Sequence, residues 1–278
     1  MTPRELIIQT SARFLNGGIP DPENDAALLL SSLTGISALK LRLDTDTVLD
    51  PDLVSRFQDF ADKRMKRVPL QYILGEVSFF TRMFKVDPRV LIPRPETELL
   101  CEWALELLNN TSSPRILDLC CGSGCIGLTL KAEKPDAMVT LSDLSSDALN
   151  VSAVNAARLS LDVMFRQSDL LDDLYGSVFD LIISNPPYIP SADCDLLQPE
   201  ILYEPRLALD GGSDGCAVYR RIINTADRCL VHGGILLMEM GINESVLLSA
   251  LLSSHGFRNI EIRKDYSGID RMIFAVYP

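Results

Sequence analysis

The chain has 278 residues, 47% of them apolar, enough for one large domain or two smaller ones with real cores. Residues 1–70 hold 9 Lys and Arg against 10 Asp and Glu, while the remainder holds 17 against 28, so nearly all of the net charge of −12 lies beyond residue 70 and argues against a nucleic-acid partner. No apolar run reaches the roughly 18 residues of a membrane helix, MTPRELIIQT lacks the layout of a signal peptide, and seven cysteines without framework spacing point to a reducing cytoplasm and no membrane.

Residues 1–74 read as a small helical domain. Thr2-Pro3 pairs a cap with proline at the first helical position, and Gly17-Gly18 closes that helix. Asp21-Pro22 opens a second helix that stops at Gly35. Asp50-Pro51 opens a third, with Leu53, Val54, Phe57, Phe60 and Ala61 at helical spacing and Pro69 as its close. The β-branched and aromatic run EVSFFTRMFKVDPRVLI predicts a hairpin or extended linker over 75–93. Pro95 begins a helix whose first turn carries Glu96 and Glu98, where acids suit the dipole.

Within 94–278 strands and helices then alternate. RILDL, AMVTLSD, DVMFRQSD, FDLIISN, GGILLMEMG and RMIFAVY read as strands. GCIGLTLKAEK, SSDALNVSAVNAARL, AVYRRIINTADRCL and NESVLLSALLSSHG read as the helices between them. This predicts an α/β domain with a doubly wound, mostly parallel sheet.

Ligands of such sheets bind beyond the carboxyl ends of the strands. ILDLCCGSGCIGL is a strand, a small-residue loop and a helix; Gly122 and Gly124 allow close backbone approach, and Asp118 stands at the strand end. The loop has neither full G-x-G-x-x-G spacing nor the Lys-Ser/Thr of a phosphate-cradling loop. Asp143 ends the next strand about 20 residues on, where a carboxylate suits the two hydroxyls of an adenosine ribose. Asp169 follows the third strand at the same edge. The plainer role for these acids is capping of the next helix, with Ser145 competing for that role beside Asp143.

SNPPYIP follows the fourth strand at this edge. Pro186 and Pro187 cannot donate, and Asn185 is pushed to extended geometry by the proline after it. The carbonyls and the side-chain oxygen of Asn185 form a wall of acceptors for a planar NH2 group, and Tyr188 offers a flat face against its plane. A nitrogen donating both hydrogens keeps its lone pair out of the plane, facing an electrophile. Next to an adenosine site, that electrophile is the methyl sulfonium of S-adenosyl-L-methionine, with S-adenosylhomocysteine as product.

Taken together, IPRPETE, ILDLCCGSGCIGL, SNPPYI, EPRLALDGGSDG, GGILLMEMG and DYSGIDRMI give the chain, over almost its whole length, a resemblance to the HemK-type (PrmC) protein-(glutamine-N5) methyltransferases. The resemblance implies a class I, Rossmann-like methyltransferase that modifies the Gly-Gly-Gln glutamine of peptide chain release factors in support of translation termination. It places the cofactor loop on Cys120, Cys121, Gly122, Ser123 and Gly124, the ribose acid on Asp143, and a further cofactor contact on Leu170. It places the glutamine clamp, which is both catalytic and substrate-binding, on Asn185, Pro186, Pro187 and Tyr188, with Asn185 also at the cofactor. The change of sequence texture near residues 75–93 further suggests that residues 1–74 recognise the protein substrate. One departure stands out: the family opens its loop with glycine where this chain has Cys120, which would be strained at positive φ.

Cys120, Cys121 and Cys125 are close in sequence, but with histidine only at 232 and 255 they read as packing residues and no metal is expected. KRMKR at 63–67 reads as a helix end favoured by the dipole or as a patch for an acidic partner surface. Glu239, at a strand end near the site, would orient either the loop or the substrate. Two other functions compete. One is methylation of an exocyclic amine on DNA adenine or cytosine or rRNA guanine, with Tyr188 stacking on a flipped base. The other is a non-catalytic S-adenosylmethionine sensor, which would have no use for the acceptor wall.

Overall fold

Helix starts near the N-terminus fall on prolines, whose missing N–H is no loss in a first turn. The computed structural model describes residues 1–278 and begins with α1 (Pro3–Asn16), α2 (Pro22–Thr34), α3 (Ala38–Leu43), α4 (Pro51–Met65) and α5 (Leu70–Leu74). Thr2 and Glu5 cap α1 reciprocally, at 2.9 and 3.3 Å. Helices α3 and α5 carry under two turns each, too short for periodicity to announce them. Helix α4 ends at Met65, ahead of Pro69.

These helices and residues 198–203 form one compact unit, with a core that includes Leu6, Phe14, Leu29, Leu30 and Phe57. Two cations of the 63–67 cluster are consumed inside it. Arg64 is buried, and its guanidinium meets Asp25 at 2.7 Å and Glu200 at 2.9 Å. Arg67 pairs with Glu200 at 2.6 Å and donates to the Gly18 carbonyl. Only Lys63 and Lys66 remain exposed, so the cluster is chiefly an internal tie rather than a basic patch.

Residues 77–197 and 204–278 form the second unit. It opens with a hairpin of β1 (Glu76–Phe79) and β2 (Arg82–Lys85). Phe80 and Thr81 turn it at φ of 46° and 70°, a geometry usually given to Asn-Gly, so no turn signal marked it. Then come α6 (Pro95–Leu107), β3 (Arg115–Leu119), α7 (Cys125–Glu133), β4 (Met138–Asp143), α8 (Ser146–Leu159), β5 (Met164–Gln167) and β6 (Phe179–Ser184). The chain ends with α9 (Ala217–Thr225), β7 (Leu230–Glu239), α10 (Ser245–Ser254), β8 (Arg258–Lys264) and β9 (Asp270–Val276).

The seven strands lie in the order β5-β4-β3-β6-β7-β9-β8. The first five are parallel, and β9 runs antiparallel to both of its neighbours. Alternating side chains divide the core. Ile116, Leu141, Ile183 and Leu237 pack with Leu100 and Trp103 of α6 and Leu128 of α7. Leu117, Leu119, Ile182 and Met238 pack with Tyr219 and Ile222 of α9 and Leu248 of α10. Both faces are thus covered, as a parallel sheet requires. Strand β8 was not anticipated, because RNIEIRK is an edge strand with six of its seven residues exposed. Strand β7 begins at Leu230, which helical spacing had assigned to the preceding helix. Chain order reverses between β3 and β6, leaving a crevice at their carboxyl ends. No helix is long and apolar enough to cross a membrane.

Candidate active site

The loop from β3 to α7 is bent by three residues at positive φ: Cys120 at 61°, Gly122 at 54° and Gly124 at 78°. The left-handed geometry that would strain a cysteine is therefore present. Cys120 packs against the core under α9, where burial pushes its thiol pKa up and keeps it neutral. Because backbone geometry is the cost at this position, Cys120→Gly is expected to stay within about 1 kcal/mol of the parent, while β-branched Cys120→Val loses about 2 kcal/mol or more. Urea denaturation of the two variants checks this.

Cys120 and Gly122 reach a cleft that is open to solvent. No atom of the chain lies within 4 Å of where a Cβ on Gly122 would sit, so the loop there faces open space. Cys121, Ser123 and Gly124 lie behind, off the cleft surface. So does Asp118, which is fully buried. Its Oδ2 accepts the Gly127 N–H at 2.8 Å, its Oδ1 has no partner, and burial lifts its pKa to about 7. Asp118 thus holds the first turn of α7 beneath the loop, and the geometry gives it support rather than ligand contact.

Asp143 does face the cleft. Its Oδ2 accepts from Gly122 N and its Oδ1 from Ser145 N, each at 2.9 Å, which fixes the carboxylate between the glycine loop and the start of α8. Burial raises its pKa, and these N–H groups oppose the rise. Ser145 itself caps α8 through Ala148 N at 3.2 Å. Leu144, Ala148 and Leu170 add apolar wall, and Leu170 stands at φ 53°. Asp169 lies at the rim, paired with Arg221 at 3.0 Å. Behind the loop, Asn155 of α8 donates to Ser123 O at 2.9 Å and Lys85 O at 3.0 Å, joining the loop to β2.

Two prolines stop β6 pairing after Ser184, and Asn185 and Pro187 enter the cleft while Pro186 is buried. The onward chain docks on residues 209–212: Ile189 N donates to Leu209 O at 2.9 Å, and Gly211 N donates to Ile189 O at 2.8 Å. That is why EPRLALDGGSDG accompanies the loop. Its Glu204, raised in pKa by burial against the pull of Arg94, accepts from Arg94 at 2.6 Å and from Ile92 N at 3.3 Å, and so ties in the IPRPETE segment. Glu239 is buried between. It takes the Thr97 hydroxyl at 2.7 Å and the Tyr188 hydroxyl at 3.4 Å, while its own carbonyl accepts from Tyr219. It therefore orients the loop. Thr97 and Glu204 went unassigned in the sequence, since contacts spanning more than 100 residues leave no local spacing; Tyr219, whose partner lies 20 residues on, carried no motif of its own.

A doubly wound sheet with a glycine loop, a strand-end carboxylate and a proline-rich loop at its switch point has the architecture of the class I S-adenosylmethionine-dependent methyltransferases. The Methyltransferase small domain matches residues 97–212, and the PrmC N-terminal domain matches residues 5–75. The release factor glutamine methyltransferase of Deinococcus radiodurans is 42% identical over 275 residues, 99% of this chain and 98% of that one. Its namesake in Geobacter sulfurreducens is 38% identical over 273 residues, 98% and 95% of the two chains. A methyltransferase structure from Pyrococcus furiosus shares the fold at a TM-score of 0.55 and 15% identity, covering 72% of this chain and 91% of that one. The chain belongs to the release factor glutamine methyltransferase family.

Proposed function

We propose that the enzyme moves a methyl group from S-adenosylmethionine to the side-chain amide nitrogen of the Gly-Gly-Gln glutamine of peptide chain release factors, in the cytoplasm. The observation that carries this reading is that Asn185 and Pro187 of the Asn-Pro-Pro-Tyr loop line one cleft with Gly122 and Asp143. The cleft residues suit the cofactor: open backbone at Gly122, a fixed carboxylate at Asp143 for the ribose, and apolar Leu144, Ala148 and Leu170 for the adenine. S-adenosylmethionine, when bound, supplies an electrophilic methyl on a sulfonium.

The chain's own work is binding and aim. Asn185 Oδ1 and the Pro186 carbonyl each accept one amide hydrogen of the glutamine, and Tyr188 packs on the amide plane. The lone pair is then directed out of that plane at the methyl carbon. With that methyl donor bound, the Asn185 and Pro186 oxygens would stabilise the positive charge that develops on the glutamine nitrogen as it takes the methyl. The surplus proton leaves for water afterwards, so no strong base is needed beforehand. Residues 1–74 would serve protein recognition and 94–278 the chemistry, with 198–203 counted among the helices they pack with and most of the 75–93 connection counted with the sheet unit; the match of a separate domain to residues 5–75 supports that division.

The deciding measurement is labelled methyl transfer to purified release factor. Counts should appear on release factor, vanish when its glutamine is replaced, and be absent from nucleic acid. Labelling of DNA or RNA in place of protein would overturn the proposal. In calorimetry, Asp143→Ala should weaken S-adenosylmethionine binding by about 1–3 kcal/mol, the scale of charge-assisted hydrogen bonds. Unchanged affinity in a folded variant would remove Asp143 from the ribose site.

A further inference from the structure

An asparagine amide is nearly symmetric in shape, so packing does not decide whether its oxygen or its NH2 faces a ligand; hydrogen bonds do. At Asn185 the choice is decisive, because an NH2 turned towards the cleft would oppose the NH2 of an incoming glutamine. We infer that Thr97 and Glu239 are positioning residues that set this orientation. The inference rests on the glutamine reading above.

The polarity starts at Glu239. Its side chain lies among Thr97 on α6, Tyr188 and, on β9, Arg271, with Glu96 also near. Burial lifts its pKa to about 7 while the charge of Arg271 opposes the rise, so well above that pH it is a carboxylate and only accepts. Thr97 has one hydroxyl hydrogen, and the 2.7 Å contact with Glu239 Oε2 takes it. Towards Asn185, then, Thr97 Oγ1 presents lone pairs. The amide nitrogen, 3.3 Å away, must be the group that faces it. Asn185 Oδ1 is thereby turned towards the cleft as an acceptor. The other Glu239 oxygen accepts from Tyr188, so one carboxylate steadies the first and last residues of the loop. Neither Thr97 nor Glu239 lines the cleft. They act through Asn185 and Tyr188 alone.

Thr97→Val keeps the shape of the side chain and removes its hydroxyl; Thr97→Ser keeps the hydroxyl. The full-length chain and both variants would be compared well above pH 7, with Glu239 ionised. By NMR, the Asn185 side-chain NH2 signals, identified by their loss in Asn185→Asp, should exchange slowly with solvent in the parent and in Thr97→Ser, and fast in Thr97→Val. Turnover of glutamine substrate should fall about tenfold or more in Thr97→Val with cofactor affinity unchanged, and stay within about threefold in Thr97→Ser. In an Asn185→Asp background, whose carboxylate has no wrong way round, Thr97→Val should cost less than about twofold. An equal cost in both backgrounds, or no recovery with serine, would reduce Thr97 to a packing role and overturn the inference. If the parent methylates no glutamine, it is the functional proposal that fails. Amide exchange unaltered by Thr97→Val would then still overturn the positioning role, and faster exchange would uphold it.

Discussion

Asn185→Ala is expected to leave the fold intact and to lower turnover by at least about 100-fold, the loss seen when one pre-aimed electrostatic contact to a transition state is removed. Asn185 sits in a loop beyond the end of β6, outside the apolar core, so its removal opens no large cavity. On the proposed mechanism, what goes is an acceptor aimed at an amide hydrogen and at the charge that grows behind it. Asn185→Asp keeps that acceptor and adds negative charge, but forfeits the bond to Thr97. Aspartate should therefore fall between the parent and alanine. Single-turnover methyl transfer, with cofactor affinity measured alongside, checks the order. Aspartate as inactive as alanine, with cofactor still bound, would mean that the NH2 itself is essential and that acceptance is not the main role.

Gly211→Ala should be damaging without touching the site's chemistry. A Cβ there would lie 2.3 Å from the Gly215 carbonyl oxygen and 2.7 Å from the Tyr188 Cα, both backbone atoms with little freedom to retreat. Relief requires the Asn-Pro-Pro-Tyr loop to move off residues 209–212. A displacement of about 1 Å of aligned groups can cost roughly 100-fold in rate. The overlap itself should cost about 1–3 kcal/mol of stability. Thermal denaturation and turnover should fall together, unlike the Asn185 variants, in which only turnover falls. An alanine variant with parental turnover would show that the loop does not depend on this close approach.

These two positions also show how far the sequence could be read. Asn185 was legible because its neighbours are: a strand end and two prolines restrict the chain locally, and the consequence for donors and acceptors follows from covalent structure. The glycine loop and Asp143 were legible for the same reason, each standing at a strand end in an alternating series. Gly211 and Thr97 were not, although both lie in quoted motifs, because their partners Tyr188 and Glu239 are distant in sequence. The parallel core strands announced themselves by apolar runs, whereas β8, solvated along most of its length, did not. Asp118 misled for a related reason. A strand-end acid can point up at a ligand or down at a helix, and only the N–H of Gly127 shows which.

Residues 198–203 belong with the N-terminal helices, although they lie in the chain between Tyr188 and Glu204. The helical unit is therefore not a bead on a string. Excision at residue 76 would carry away Arg64 and Arg67 and leave Glu200 behind without its cations, and Tyr203 without the Lys66 carbonyl it donates to. Gene fusion at that boundary would have to transplant two separated stretches at once. Wherever this helical part is exchanged between proteins, a short insert after the Asn-Pro-Pro-Tyr loop has to travel with it.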